Sequence, residues 1–186
     1  MHTRAEEINR FWFINCNEED WFKKDLKFDE EIKDSFLTDY EKACEGTYDH
    51  WREHSKNCLA LIVLLDQFSR NMFRDTKKAF SQDAKAQTLS RYAINNNYFA
   101  DFKNNEIFFS LIPLLHSEDI EDHQLAHENC DKFLSFDENY GKIKQSWDDH
   151  TVAIKKFGRY PHRNKILGRN STDEEIIYLT QPNSSW

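Results

Sequence analysis

Glycine and proline are scarce, 4 and 3 among 186 residues. An all-β fold lives on tight turns that use these two residues, so the shortage argues against one. The cysteines are Cys16, Cys44, Cys58 and Cys130, and none forms a Cys-x-x-Cys pair. They read as reduced thiols of a cytoplasmic protein. The opening residues, MHTRAEEINRFWFINC, carry charges where a signal peptide needs an apolar centre. No apolar run approaches the roughly 20 residues of a membrane helix, so no membrane partner is expected. The formal net charge is -8, which argues against broad binding to nucleic acid, where clustered positive charge is required. No phosphate-cradling glycine loop, nucleophile elbow or dinucleotide fingerprint is present, so no cofactor is expected.

What the chain does have is charge and aromatic bulk. Charged residues are 31% and hydrophobic residues 39%, so much of each helix must face water. Aromatics are 15%, which supplies large apolar area from few side chains. Apolar spacing predicts helices over about 3–13, 29–44, 55–73, 82–95, 105–116, 119–136 and 142–157, with a short one after Thr172. Thr3 with Glu6 and Thr172 with Glu175 have capping-box spacing. Ser55 and Ser117 are expected as N-caps. Gly46 and Gly158 are placed to stop helices, and Pro113 to kink or end one. The segment KNCLALIVLLDQFSRNMF is apolar almost all round in its first half and belongs at the centre of the core. No repeat and no Pro/Gly/Ser-rich linker divides residues 1–186. The expected fold is all-α, one domain of antiparallel helical hairpins.

Three segments carry candidate chemistry. On the central helix, Asp66, Arg70 and Arg74 recur every four residues, with Gln67 and Asn71 alongside. They are candidates for a pocket wall, against the plain alternative of a surface ion pair. In IPLLHSEDIEDHQ, His116 stands beside Ser117, Glu118 and Asp119. An acid-backed imidazole suits proton transfer, and helix capping is the plainer use of the acids. His150 interrupts the apolar stripe of Ile143, Trp147, Ile154 and Phe157, and needs a partner such as Asp66 or Glu118 if buried.

Positive charge gathers in one place. Residues 155–169 hold six Lys or Arg and no acid. Arg159, His162, Arg163, Asn164 and Arg169 fall around Pro161 and Gly168, and arginine forks suit carboxylate and phosphate groups. The alternative is internal pairing with acids elsewhere. His50/His54 and His123/His127 have the i, i+4 spacing of zinc ligands but lack the glutamate of an H-E-x-x-H site, so no metal is expected.

The segments LLDQFSRNMFR, IPLLHSED, HTVAIKKFGRYPHRNKILGR, STDEE and the ending YLTQPNSSW together resemble domain-of-unknown-function family 924. The likeness extends from the early FWF and the Phe28-Asp29 pair to the last residue. It implies a tetratricopeptide-like helical fold and no known activity. Its pattern falls on Asp66, Gln67, Arg70, Asn71, Arg74, Asp83, His116, Ser117, Glu118, Asp119, Gln124 and His150. It continues through Phe157, Gly158, Arg159, Pro161, His162, Arg163, Asn164, Gly168 and Arg169. It bypasses His50, His54, His123 and His127.

The expected function is binding of a small phosphate- or carboxylate-bearing ligand through Arg70, Arg74, Arg159, Arg163 and Arg169. Gln67, Asn71 and Asn164 would orient it, with Asp66, Glu118 and His162 completing the set. The alternative is an enzyme using His116 or His150 as general acid or base on such a substrate. A peptide-binding adaptor is a third reading, on fold analogy alone. Phe11, Trp12, Trp21 and Phe22 are as able to pack on a second subunit as on their own core, which leaves a homodimer open.

Overall fold

The computed structural model describes residues 3–185, so Trp186 at the end of YLTQPNSSW lies outside them. Among the described residues the regular structure is entirely helical, without strands. The chain forms two compact units, Met1–Pro113 and Leu114–Trp186.

In the first unit, α1 (Arg4–Arg10) starts on the Thr3/Glu6 capping box. α2 (Glu18–Phe22) follows. α3 (Leu26–Cys44) starts three residues before the expected Asp29, because Asp25 accepts from the main-chain N–H groups of Lys27 and Phe28. α4 (Ser55–Val63) is the core helix, and every residue from Cys58 to Asp66 has zero exposure. At roughly 1.5–3 kcal/mol for each fully buried Leu, Ile or Val, this stretch is the main apolar anchor of the unit. Ser55 does not cap α4: its hydroxyl donates to Asp101 instead, and His54 occupies the cap position without a side-chain bond.

A wide turn with i→i+5 (π) geometry, Leu64–Phe68, separates α4 from the short α5 (Ser69–Met72). Such turns break an otherwise regular helix at a defined place. α6 (Asp83–Asn95) and α7 (Asn104–Leu115) follow, and α7 continues two residues beyond Pro113. The N-terminal aromatics are used inside the unit. Trp12, fully buried, meets Phe68 at 5.5 Å and Phe109 at 5.4 Å edge-on, and Phe36 meets Phe68 at 4.9 Å. Phe22 stays exposed.

The second unit is built on α8 (Ile120–Leu134) and α9 (Tyr140–Phe157). His123 touches Thr151, His127 touches Lys144, and Asp131 touches both Lys144 and Tyr140. The falling register makes this pair an antiparallel hairpin. Asp119, not Ser117, caps α8 by accepting from the Glu121 N–H. Ser117 acts one step earlier, its Oγ accepting from the Asp119 N–H. α9 ends at Gly158, whose φ of 64° suits a residue without a Cβ. After a 3₁₀ turn over Pro161–Arg163 come α10 (Asn164–Leu167) and α11 (Asp173–Tyr178), the latter on its Thr172/Glu175 capping box. Tyr160, Ala153, Ile154 and Tyr178 form the apolar centre, with Ile120, Phe157 and Leu179 against it.

Candidate functional site

The residues singled out by the sequence form two polar lattices, one in each unit. In the first, Asp29 organises one half. Its carboxylate accepts from Arg74 Nε and Nη2, both at 2.6 Å, and from Asn71 Nδ2 at 2.8 Å. The other half centres on Arg70. Its Nη1 and Nη2 donate to the two oxygens of Asp83 at 3.0 and 3.1 Å, and its Nη1 also lies 3.0 Å from Asp66 Oδ1. Asp66 is fully buried in the wide turn and accepts from Gln67 Nε2. Carboxylates outnumber guanidinium groups in this lattice: Arg70 and Arg74 stand against Asp29, Asp66 and Asp83. A fork bonded to both oxygens of a carboxylate is committed, because releasing it would strand a part-buried charge.

The second lattice has two further fork pairs. Arg169 donates to Glu118 at 2.6 and 2.8 Å, and Glu118 also accepts from the Tyr160 main-chain N–H at 2.8 Å. Burial opposes ionisation of Glu118, but Arg169 and this N–H outweigh it and hold the carboxyl below its usual value. Glu118, considered from the sequence as the partner of His116, is held by Arg169 through both of its oxygens. Arg159 donates to both oxygens of Glu175 at 2.6 and 2.8 Å, which with the Thr172 N–H holds that carboxyl down at about 2. Buried Asn164 joins the two pairs, donating to Glu175 and accepting from Arg169 Nε.

Between these pairs lies a cluster around the buried Tyr160 ring. Arg163 sits 4.5 Å from its centroid and donates Nη1 to the main-chain carbonyl of His116 at 2.9 Å. The rings of His162, His123 and His150 lie 5.3, 6.1 and 6.3 Å from it. His150 Nδ1 lies 2.7 Å from the Ser146 carbonyl, which only accepts, so Nδ1 carries the proton. Burial first, then the charge of Arg163, pushes His162 down to about 3. Burial, followed by neighbouring His123 and Arg163, pushes His150 down to about 4, against the Ser146 bond. Both are neutral at pH 7.

The histidine pairs set aside as metal ligands also have other uses. His123, fully buried, contacts Thr151 and Ser117, and His127 contacts Thr151 and Lys144. His50 and His54 do not share one helix, since His50 lies in the 3₁₀ turn before α4 and His54 at its cap. Among the described residues no group of three or more His, Cys, Asp or Glu side chains is placed to hold a metal ion. Asp29 and Glu175 in the lattices, and Thr151 between the two histidines, were not singled out from the sequence. Asp29 and Glu175 stood in view, in the Phe28-Asp29 pair and the capping box.

An all-helical chain with two lattices of arginine–carboxylate forks is thus the class of protein at hand. The chain belongs to a family described as a bacterial protein of unknown function (DUF924), whose family model matches residues 8–183. It is similar to a solved protein of unknown function from Agrobacterium tumefaciens, at 34% identity and a TM-score of 0.84, over 94% of this chain and 96% of that one. No curated protein matches it.

Proposed function

We propose that the second unit binds a small anion, phosphate- or carboxylate-bearing, at the cluster around Tyr160. The observation that carries this reading is the convergence of Arg163, His150 and His162 on one aromatic ring within 4.5 to 6.3 Å. The positive charge of Arg163 is felt by His123, His150 and His162, and it opposes protonation of all three. An anion would reverse that balance, so binding should be accompanied by proton uptake on the imidazoles. The flanking pairs, Arg169 with Glu118 and Arg159 with Glu175, support this reading as a rigid frame that leaves recognition to the centre. Inorganic phosphate and succinate serve as probes in calorimetry at pH 5.5 and 7.5. Expected are measurable affinity, tighter at the lower pH, and a loss of about tenfold, about 1.4 kcal/mol, in Arg163→Gln and in His162→Gln. Absence of any heat or melting-temperature shift with either probe at millimolar concentration sinks the proposal.

A second reading is catalytic. The Ser146 bond and the low pKa of His150 make its Nε2 the lone-pair nitrogen at neutral pH, as a general base requires. Of the two histidines considered for this role, His150 has the better support. If a bound phosphate ester or acyl compound is turned over, His150→Gln should remove turnover while leaving binding within threefold. Full activity in that variant excludes the assignment.

A further inference from the structure

The hydrogen bonds between α8 and α9 fall into one consistent direction when both imidazoles are neutral. His123 Nε2 lies 2.9 Å from the Ser117 carbonyl, and a carbonyl only accepts. Nε2 therefore carries the proton, and in the neutral ring Nδ1 carries the lone pair. That lone pair lies 3.0 Å from Thr151 Oγ1, whose hydroxyl can donate either to the Trp147 carbonyl at 2.8 Å or to the ring; facing a bare nitrogen, it donates to the ring. The same oxygen lies 2.9 Å from His127 Nε2 and, with its proton already spent, accepts from it. His127 Nδ1 must then be the lone-pair nitrogen, and it faces Lys144 Nζ at 3.2 Å, a group with protons to give. With both rings neutral, the four contacts share one sense: Lys144 to His127, His127 to Thr151, Thr151 to His123, His123 to Ser117.

Thr151 adds a second acceptor. Its Oγ1 lies 2.8 Å from the Trp147 carbonyl. When His123 is charged, both ring nitrogens donate and the hydroxyl turns to Trp147. When His123 is neutral, the hydroxyl turns back. Both protonation states are satisfied without moving a heavy atom. Tyr160 Oη, which donates to the Leu115 carbonyl, stands 3.4 Å from His123 Nε2, so the chain ends beside the Tyr160 cluster.

We infer that Lys144, His127, Thr151 and His123 form a proton relay from the surface of the α8/α9 hairpin to the underside of Tyr160. This goes beyond anion binding and needs no ligand. The transfer balances as follows. The Lys144 N–H bond breaks as His127 Nδ1–H forms, the His127 Nε2–H passes to Thr151, and the former Thr151 proton passes to His123 Nδ1. One positive charge moves from Lys144 to His123, and water reprotonates Lys144. The charged groups acting on His127 are the cations Lys144 and Lys155 and the anions Asp148 and Asp131. Those facing His123 are His127, Asp122 and Arg163, with His150 beyond. Burial disfavours charge on His123, which makes it a transient holder of the proton and not a resting cation.

The test uses the full chain with ¹⁵N-labelled histidine. At pH 7.5, NMR should find Nε2 protonated and Nδ1 bare in both His123 and His127. Either ring in the opposite tautomer overturns the inference, and this measurement needs no variant. Exchange of the His123 Nε2–H with water, which requires prior protonation at Nδ1, should slow at least tenfold in Thr151→Val and return to within twofold of wild type in Thr151→Ser. An unchanged rate in Thr151→Val, with backbone amide exchange also unchanged, overturns it as well.

Discussion

Asp29 offers the sharpest test of the lattice in the first unit. It is almost fully buried, and its carboxylate takes two bonds of 2.6 Å from Arg74 and one of 2.8 Å from Asn71. Asp29→Asn keeps the shape and removes the charge. Breaking a buried ion pair by neutralising one member costs about 3–5 kcal/mol, because the other charge is left behind. The Arg74 side chain is 28% exposed, so water can rehydrate part of it. The lower end, about 3 kcal/mol, is therefore the expectation. For a chain of this length that lowers the melting temperature by about 6–12 °C. Urea denaturation of Asp29→Asn, Arg74→Met and the double variant forms the assay. The double variant should be less destabilised than the sum of the singles by about 2 kcal/mol, since it leaves no orphan charge. A single-variant loss below about 1 kcal/mol, or strict additivity, would refute the view that this clamp holds α3 to the segment after α5.

Three more outcomes are expected. Glu175 is held near 2 against 4.5 for the ordinary group, so its stabilising effect is complete above about pH 4.5 and fades as pH falls toward 2. The urea midpoint of wild type should fall more steeply across that window than that of Glu175→Gln; parallel curves would exclude the linkage. Gly158 has φ of 64° and open space where a Cβ would stand, so Gly158→Ala should cost only the left-handed backbone penalty, about 1–2 kcal/mol by denaturation. A neutral result would mean that the cap relaxes. Burial pushes the thiols of Cys58 and Cys130 up to about 12 and 11, so at pH 8 a thiol reagent should leave both unmodified in native protein and label all four cysteines in urea. Native labelling of either residue, located by mass spectrometry, would contradict that burial.

Much of the helical framework could be read from periodicity and caps. Thr3 with Glu6, Thr172 with Glu175, and Gly158 each act through neighbours in sequence, and each does what its spacing implies. Of the two caps that failed, Ser55 lost to distant competition, its hydroxyl going to Asp101, 46 residues away, while Ser117 gave way to its near neighbour Asp119. The charge balance of the lattices was hidden for the same reason. Residues 155–169 contain no acid, yet Arg169 pairs with Glu118, 51 residues distant, and Arg74 with Asp29, 45 residues distant. Counting charge along a segment misses counter-ions that folding brings in. His123 and His127 were noticed for their spacing and set aside as metal ligands, and their actual use stayed out of sight because Thr151, which joins them, has no distinctive signal in a helical stretch.

The wide turn at Leu64–Phe68 amounts to a spare residue housed at the end of the fully buried stretch of the first unit. An ordinary helix advances each side chain by about 100° around its axis. Regularising the coil there with every residue kept would swing everything downstream by a similar angle, carrying Asn71 and Arg74 off Asp29. A protein engineer straightening this turn without shortening the chain would thus preserve its hydrophobic content while uncoupling its ion pairs. Coil geometry at this point sets the aim of the arginines.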